Sequence, residues 1–458
     1  FPDNAPYYSN RSINERYIMV DSVQPSELLL AGCSSSDLFS TLLIDPKTGV
    51  SSWSHKGSEL QGGSLGKVLP LGQNGDHLLL SMKDRPFLHA IGVNAHERFH
   101  QRSSVCGMVR DLAVTSEGSL LFVAIDKRIF VWLLSNGDLV GVRDVHLRDI
   151  TYISLSIDDS TLVTTSEDGG VRVYLVSDLI SSQESESSPL REWQAHSLSV
   201  TGLSLSRSGS LRVASCSLDH TASIHSVALD VCLLRVSADR PFTSISLCPS
   251  ESRLVMGTDQ GVVACLSLYD AAKNDQKEIT LSTTNSASTD FLLRGKHNIA
   301  VVRLAFNSDG TLLASGDSEG KYIIWQIGSK QVLKESSMHG AVCTLQFVPY
   351  WRSVLGREDK NIHRPNLNLN RTIGERKQLS LLRSQQIDSD DYWMGVIDKL
   401  LNEGGETKKN TMIKREKEED EEDKDEIIKK LTAEKNRLMK INKELYDYTT
   451  SEVFKLNT

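Results

Sequence analysis

The chain has 458 residues, of which 39% are hydrophobic and 24% charged, an ordinary composition for a folded globular protein. Its net charge of −8 excludes a generally basic surface, so nucleic acid could be held only by a local patch. No run of about 18 apolar residues is present, and we expect no membrane-spanning segment. Because the first residue is Phe1 rather than Met, we expect the natural N-terminus, with any targeting signal, to lie upstream.

A repeating pattern of strands and turns, about 40 to 50 residues long, runs through most of the chain. In its clearest copy, residues 297–326, an alternating strand leads through the turn 307–310 to a strand of small residues. A second turn at Glu319 and Gly320 then leads to a strand that ends at Trp325. Similar units begin near residues 109, 150, 200 and 242, and weaker ones cover residues 28–53 and 67–99.

These units predict an all-β fold, a seven-bladed β-propeller over residues 25–355 that follows an N-terminal extension, residues 1–24. The unit at 28–53 lacks a first strand of its own, whereas residues 342–348 have the pattern of a first strand without the rest of a unit. We therefore expect 342–348 to pair into the first blade and close the ring, since an open ring leaves unpaired strand edges. Residues 17–20 are the competing candidate for that position.

The units resemble WD40 repeats, in which a His, a turn Asp, a Ser or Thr and a Trp form a buried hydrogen-bond chain. The resemblance implies that Glu319 takes the place of the turn Asp in the clearest unit, and that Tyr174 and His225 replace the Trp of two others. It also identifies the structural blade residues that we expect to carry this chain: His297, Ser315, Trp325, Asp168 and Asp219.

Two polar inserts interrupt the repeat, at residues 181–189 and 270–288. Their composition is typical of loops that cannot bury a core. We expect both to protrude from the rim as solvated loops, and the alternative is that a partner orders them.

Beyond the repeat, residues 356–401 are predicted to be a partner-docking linker that ends in a short amphipathic helix. Its first part is basic and polar, and the acids of 388–391 offer N-capping oxygens to a helix over 392–401. One side of that helix is apolar, and it consists mainly of Trp393, Val396, Ile397 and Leu400. This stripe either anchors a partner protein or packs on the propeller of the same chain.

The C-terminal part of the chain is predicted to form an acidic flexible spacer, residues 402–426, and a coiled-coil helix, residues 427–454. The helix carries a heptad pattern of apolar residues: Leu431, Leu438, Ile441 and Leu445. Three heptads are marginal alone in water, so we interpret the helix as a dimer contact supported by other interfaces. The alternative is a helix that folds back onto its own chain.

The sequence contains no motif that indicates catalysis. A Gly-rich phosphate loop, an H-E-x-x-H pair, a G-x-S-x-G elbow and the kinase signatures are all missing. Several histidines fall at repeated blade positions, where structural hydrogen bonding is expected. We therefore expect a protein that is not an enzyme, with no catalytic residues, no cofactor and no metal.

A closer resemblance rests on three neighbouring features. The strand of one unit ends in VRVYLVSDLI at 171–180, a polar insert follows, and WQAHSLSVT at 193–201 opens the next unit. With a terminal helix after a non-repetitive linker, the chain resembles the family of WD repeat-containing protein 18 and ROOT INITIATION DEFECTIVE. These are propeller subunits of a nuclear complex that processes the second internal transcribed spacer and matures the large ribosomal subunit.

The resemblance implies a non-catalytic scaffold in the nucleus, in both nucleolus and nucleoplasm. It implies four kinds of partner: a PELP-type helical-repeat scaffold protein, a TEX-type helical-repeat protein, the midasin AAA ATPase and the large-subunit pre-ribosome. It also implies a homodimer through the C-terminal helix. The alternative is a WD40 adaptor or substrate receptor of a ubiquitin ligase or signalling complex, which the blades permit equally.

Overall fold

The computed structural model describes residues 27–35, 39–60, 64–72, 75–93, 99–180, 188–273, 277–282, 291–351, 354, 365–372 and 440. The chain divides into two compact units, Phe1–Leu382 and Arg383–Thr458. All the described sheets belong to the first unit, and Lys440 is described in the second. None of the helices in these residues is long and apolar enough to cross a membrane.

The described residues form seven sheets, which confirms the predicted all-β, seven-bladed propeller. Blades 1 to 3 contain β1 (Glu27–Cys33), β2 (Phe39–Ile44), β3 (Ser51–Lys56), β4 (Leu65–Leu71), β5 (His77–Met82), β6 (Phe87–Gly92), β7 (His100–Ser104), β8 (Val109–Val114), β9 (Leu120–Ile125), β10 (Arg128–Leu133) and β11 (Asp138–Asp144). Blades 4 and 5 contain β12 (Ile150–Leu155), β13 (Thr161–Ser166), β14 (Gly170–Leu175), β15 (Arg191–Gln194), β16 (Val200–Leu205), β17 (Arg212–Ser217), β18 (Thr221–Ser226) and β19 (Val231–Ala238).

Blades 6 and 7 continue the same order. They contain β20 (Phe242–Leu247), β21 (Arg253–Thr258), β22 (Val263–Ser267), β24 (Phe291–Leu293), β25 (Val301–Phe306), β26 (Leu312–Asp317), β27 (Lys321–Gln326) and β28 (Gln331–Ser337). Two further strands are β23 (Glu278–Leu281) and β29 (Val342–Pro349). The helices are short, and they are a 3₁₀ turn at Gly57–Leu60, α1 (Val176–Ile180) and α2 (Leu268–Lys273).

The core of the propeller lies between the blades. The second strands β5, β9 and β13 are buried along their whole length. Continuous burial is expected because each of these strands has a neighbouring blade on both faces. The outermost strand of blade 7, β28, is by contrast exposed at nearly every residue. Each blade is therefore stabilised mainly by packing on its two neighbours.

The last strand of the propeller completes the first blade. β29 pairs antiparallel with β1, in a register that sets Leu29 opposite Phe347 and Ala31 opposite Leu345. All four side chains are buried. The sheet order is β29, β1, β2, β3, so the first and last strands of the propeller share one sheet. The competing segment, residues 17–20, lies outside the described residues.

The expectation of a plain solvated loop at 270–288 is wrong for β23. This strand adds to blade 5 as a fifth strand and pairs in parallel with β19. Its sequence alternates, so that Ile279 and Leu281 face the blade and are 7% and 3% exposed, next to Leu234 and Val236. The burial of these two apolar side chains stabilises the strand, although the insert as a whole is polar in composition. Much of the other insert, residues 181–187, lies outside the described residues.

Part of the predicted partner-docking linker is bound by the chain's own propeller. Residues 365–372 lie along blade 3, where the backbone N–H of Asn370 donates to the carbonyl of Gly137 at 2.8 Å. The indole Nε1 of Trp132 donates to the Asn370 carbonyl at 2.8 Å, and Leu367 is fully buried. Gly137 has φ +79°, and a Cβ there would collide with the Asn368 carbonyl. Residues 365–372 therefore pack on the propeller of their own chain, and for this stretch the prediction of a partner-docking linker is wrong.

Truncation of a buried side chain in the ring-closing sheet should destabilise the propeller. Leu29 is fully buried between β29 and β2. We expect Leu29→Ala to lower the free energy of unfolding by about 2–5 kcal/mol, because it removes apolar contacts and leaves a cavity. Urea and thermal unfolding measure the change. Leu147→Ala is the control, since Leu147 is 84% exposed, and its effect should stay within about 0.5 kcal/mol. Equal effects of both substitutions would contradict the described packing of β1.

Candidate interaction site

The connections at one end of the propeller carry the hydrogen bonds of the buried histidines in blades 4, 5 and 7. Because successive strands of a blade run in opposite directions, the loops between blades and the turns between second and third strands lie at the same end. We call this the inter-blade end. It includes the loops 105–108, 145–149 and 195–199, which lead into blades 3, 4 and 5.

Apolar side chains project into solvent from three adjacent blades at the inter-blade end. Leu147 is 84% exposed and Leu198 is 52% exposed, and both lie in loops between blades. Leu218 and Met108, at 43% and 42%, add to them from the turn after β17 and the loop before β8. A single exposed leucine is unremarkable, but several on neighbouring loops are typical of a surface that binds another protein.

A buried histidine holds the base of the first of these loops. The Nε2 atom of His146 lies 2.8 Å from the hydroxyl of Thr164, and its Nδ1 atom lies 3.7 Å from Asp168. Asp168 in turn accepts from the backbone N–H of Gly170 at 2.7 Å, which fixes the turn after β13. Burial lowers the pKa of His146 to about 4, so the ring is neutral at pH 7. The next residue, Leu147, is thereby presented on a rigid base.

The second loop is anchored by the equivalent residues of blade 5. The two ring nitrogens of His196 lie 2.8 Å from the hydroxyl of Thr221 and 2.9 Å from that of Ser215. Asp219 accepts from the backbone N–H of Ser197 at 2.9 Å. Burial raises the pKa of Asp219, but hydrogen bonds from His196, Thr221 and Ser197 outweigh it and hold the pKa well below its ordinary value. The hydrogen bonds of Asp219 therefore hold the start of the loop that carries Leu198.

Blade 7 contains a chain of hydrogen bonds that ends at a tryptophan. His297 Nδ1 lies 2.9 Å from Asp317, His297 Nε2 lies 2.8 Å from Ser315, and the indole of Trp325 donates to Ser315 at 2.8 Å. The expectation that Glu319 supplies the acid is wrong. Asp317, two residues earlier, is 2% exposed and reaches the histidine, and its shorter side chain fits this buried position.

The residues that replace Trp in blades 4 and 5 do not extend these chains. The hydroxyl of Tyr174 donates instead to the Val145 carbonyl at 3.1 Å, at the start of the loop that carries Leu147. The ring of His225 stacks on Trp193 at 4.8 Å, and the Trp193 indole donates to Asp230 at 2.8 Å. The sequence places Trp193 at the opening of a repeat unit but gives no indication that it stacks on His225, because that contact joins strands of two different blades.

The structure does not describe the other predicted site residues. The apolar stripe of the short helix, made of Trp393, Val396, Ile397 and Leu400, lies outside the described residues. So do the heptad positions Leu431, Leu438, Ile441 and Leu445. In the part of the chain that the structure describes, no group of three or more His, Cys, Asp or Glu side chains is placed to hold a metal ion.

The fold and its hydrogen-bond chains define a WD40-repeat propeller. The family model for the WD domain, G-beta repeat, matches residues 137–174, 187–226 and 291–326. These matches fall on blades 3 to 7 and include the residues of all three hydrogen-bond chains.

Curated relatives give the family. The chain is 40% identical over 400 residues to pre-rRNA-processing protein pro-1 of Caenorhabditis elegans, across 85% of this chain and 75% of that protein. It is 24% identical to WD repeat-containing protein 18 of Danio rerio, across 94% of this chain and 99% of that protein. Pre-rRNA-processing protein IPI3 of Yarrowia lipolytica is 29% identical across 45% of this chain. The chain belongs to the family of pro-1 and WD repeat-containing protein 18.

Removal of the central hydroxyl in blade 7 should destabilise the propeller. Ser315→Ala leaves the buried Trp325 indole and the His297 ring without their shared partner. We expect a loss of about 1–3 kcal/mol, the cost of an unsatisfied buried polar group. Chemical denaturation measures it, with Ser318→Ala as the exposed control. A loss below about 0.5 kcal/mol, the effect of a neutral surface change, would show that the hydrogen bonds of Ser315 contribute nothing to the stability of the propeller.

Acidification should weaken the fold between about pH 6.5 and 4. Burial lowers the pKa of His89, His146 and His225 to about 4 in the folded state, against 6.5 for a free histidine. The unfolded chain therefore binds more protons in this window, and stability falls as the pH decreases, by up to about 1.4 kcal/mol per pH unit for each histidine. Thermal unfolding at pH 5 and 7 measures the slope. His225→Gln should reduce the slope, because it removes one of the three buried histidines whose pKa is lowered, whereas Ser318→Ala, an exposed change that removes no titratable group, should leave it unchanged.

Proposed function

We propose that this chain acts in pre-rRNA processing, as a non-catalytic scaffold subunit of a nuclear complex that matures the large ribosomal subunit. The observation that carries the proposal is the 40% identity, over 85% of the chain, to a relative named as a pre-rRNA-processing protein. The architecture supports it, since a closed propeller offers a rigid platform with several separate surfaces. The alternative, a receptor of a ubiquitin ligase or signalling complex, has no comparable support.

The proposed partners follow from the family resemblance. They are the PELP-type scaffold protein, the TEX-type helical-repeat protein, the midasin AAA ATPase and the large-subunit pre-ribosome, met in the nucleolus and nucleoplasm. The PELP-type protein is proposed to bind the inter-blade end, where Leu147 and Leu198 are exposed on anchored loops. The stripe of Trp393, Val396, Ile397 and Leu400 is proposed to add a second contact, and two linked contacts raise the effective concentration of the partner.

Two copies of the chain are proposed to pair through the C-terminal helix, by Leu431, Leu438, Ile441 and Leu445. Apolar residues at heptad spacing favour such pairing. A short helix of this kind is marginal alone, so the partner complex is expected to support the dimer. Twofold pairing would also set the spacing of the bound scaffold proteins by symmetry.

Affinity purification of the tagged chain from cells tests the function and its surface together. We expect helical-repeat subunits and precursor RNA that contains the second internal transcribed spacer to co-purify with the chain. Leu147→Asp with Leu198→Asp should reduce recovery of the PELP-type protein at least tenfold, because two charges would be buried in the contact. Leu229→Asp is the matched control, since Leu229 is 69% exposed on the turn after β18, at the opposite end.

Three results of this purification are decisive. Recovery of cullin-type ligase subunits in place of ribosome-assembly factors would overturn the proposed function. Unchanged recovery with the double variant would move the scaffold contact away from the inter-blade end and leave the function standing. Undiminished recovery of the PELP-type protein with the Trp393→Ala variant would assign the short helix to packing on its own chain.

The dimer has its own test. Aspartate at Leu438 and Leu445 would place like charges at successive heptad positions, which opposes pairing of the two helices. We expect the sedimenting mass of the purified chain to shift from dimer toward monomer. Glu434→Gln in the same segment is the control and should leave the mass unchanged. A wild-type chain that sediments as a monomer at all concentrations would remove the proposal.

A further inference from the structure

The centre of the propeller contains a cavity that the scaffold function does not use. The first strands of all seven blades surround it, and its volume is about 200 Å³. Its lining is mixed: Leu69, Leu203 and Ile245 are apolar, whereas charged side chains enter from blades 2, 3 and 7. The balance of these charges decides what the cavity can hold.

Two of the charged side chains neutralise each other. Lys67 Nζ lies 2.7 Å from a carboxylate oxygen of Asp111 and donates to the Leu112 carbonyl at 2.9 Å. The other oxygen of Asp111 accepts from the backbone N–H of Ile153 at 2.7 Å. Asp111 is the acidic side chain among the residues that line the cavity, and both its oxygens are occupied.

The third charge, Arg303, lies across the channel from blade 7. Its Nε donates to the Cys343 carbonyl at 2.7 Å, and its Nη1 donates to the hydroxyl of Tyr152, in blade 4, at 3.0 Å. The guanidinium also lies 5.3 Å from the centre of the Tyr152 ring. Blades 4 and 7 are three blades apart in a ring of seven, so this side chain spans the channel and is fixed at two points.

Arg303 forms no direct ion pair among the described residues, and no acceptor there lies within hydrogen-bond distance of its Nη2 atom. Burial acts to lower the pKa of Arg303, but the hydroxyl of Tyr152 and the more distant carboxylate of Asp111 outweigh it and raise that pKa, so the guanidinium is charged. Burial raises the pKa of the Cys343 thiol to about 11, so this neighbour stays neutral. Lys67, Asp111 and Arg303 together leave one net positive charge on the lining of the cavity, and an anion at the free edge of Arg303 would neutralise it.

We propose that the central channel binds a tetrahedral oxyanion of the size of inorganic phosphate, at the Nη2 edge of Arg303. Guanidinium groups present their N–H donors in a fixed fork that matches phosphate oxygens. Gln346 lines the same cavity and its amide has no partner in the described part of the chain, so it can supply a second donor. This site is independent of the proposed role in pre-rRNA processing.

Calorimetric titration of the purified full-length chain with sodium phosphate, at constant ionic strength in chloride, tests the site. We expect one saturable site with a Kd of about 1–10 mM, as a single charged contact allows. Arg303→Gln removes the charge and should weaken binding at least tenfold. Arg303→Lys keeps the charge without the fork and should lie between the two. Arg128→Gln, which alters an exposed arginine paired with Asp144, is the matched control and should bind like the wild type.

The controls separate binding from a general effect of the salt. Phosphate raises the thermal stability of many proteins without binding them, so only heat that saturates and is lost in Arg303→Gln supports the site. Should that variant fail to fold, Arg303→Lys and the wild type carry the comparison. Wild-type protein without a saturable signal, equal binding by Arg303→Gln, or tighter binding of acetate than of phosphate would each overturn the proposal.

Discussion

The pairing of β29 with β1 is the contact on which the rest of the molecule depends. The second strands of blades 2, 3 and 4 are buried at every residue, and those of blades 5, 6 and 7 at all but the first, so these blades need a neighbour on both faces. Seven blades in a row would leave the outer faces of the first and last blades bare. The register of Leu29 with Phe347 removes both bare faces at once, because one blade is built from the two ends of the propeller. Closure also forms the central channel and holds the seven first strands around Arg303.

Closure alone does not fix the loops of the proposed binding surface, and the buried histidines anchor them. His146 and His196 sit at the start of loops between blades, where their rings are bonded to hydroxyl groups inside the blade. The residues that follow, including Leu147 and Leu198, leave the blade from a fixed point. Exposed side chains on rigid loops lose little conformational entropy on binding, which favours a role in holding partners.

The repeat pattern was enough to predict the fold, because alternating strands and turns recur at a spacing of about 40 to 50 residues. Details that depend on contacts distant in sequence were not predictable in this way. Nothing local in Glu278–Leu281 reports that it will pair in parallel with β19, or in Asn370 that its carbonyl will accept from Trp132. Glu319 occupies the position that the repeat predicts for the acid, yet Asp317 forms the hydrogen bond with His297. The depth at which each side chain lies in the blade decides between the two.

Hydrogen exchange in β1 of truncated chains tests ring closure most directly. A chain of residues 1–372 retains β29, whereas a chain of residues 1–341 lacks it. The account predicts slow exchange of the amides of Leu29 to Gly32 in the longer chain and fast exchange in the shorter one, with loss of cooperative unfolding. Equal protection of these amides in both chains would show that another segment closes the ring and would contradict the account.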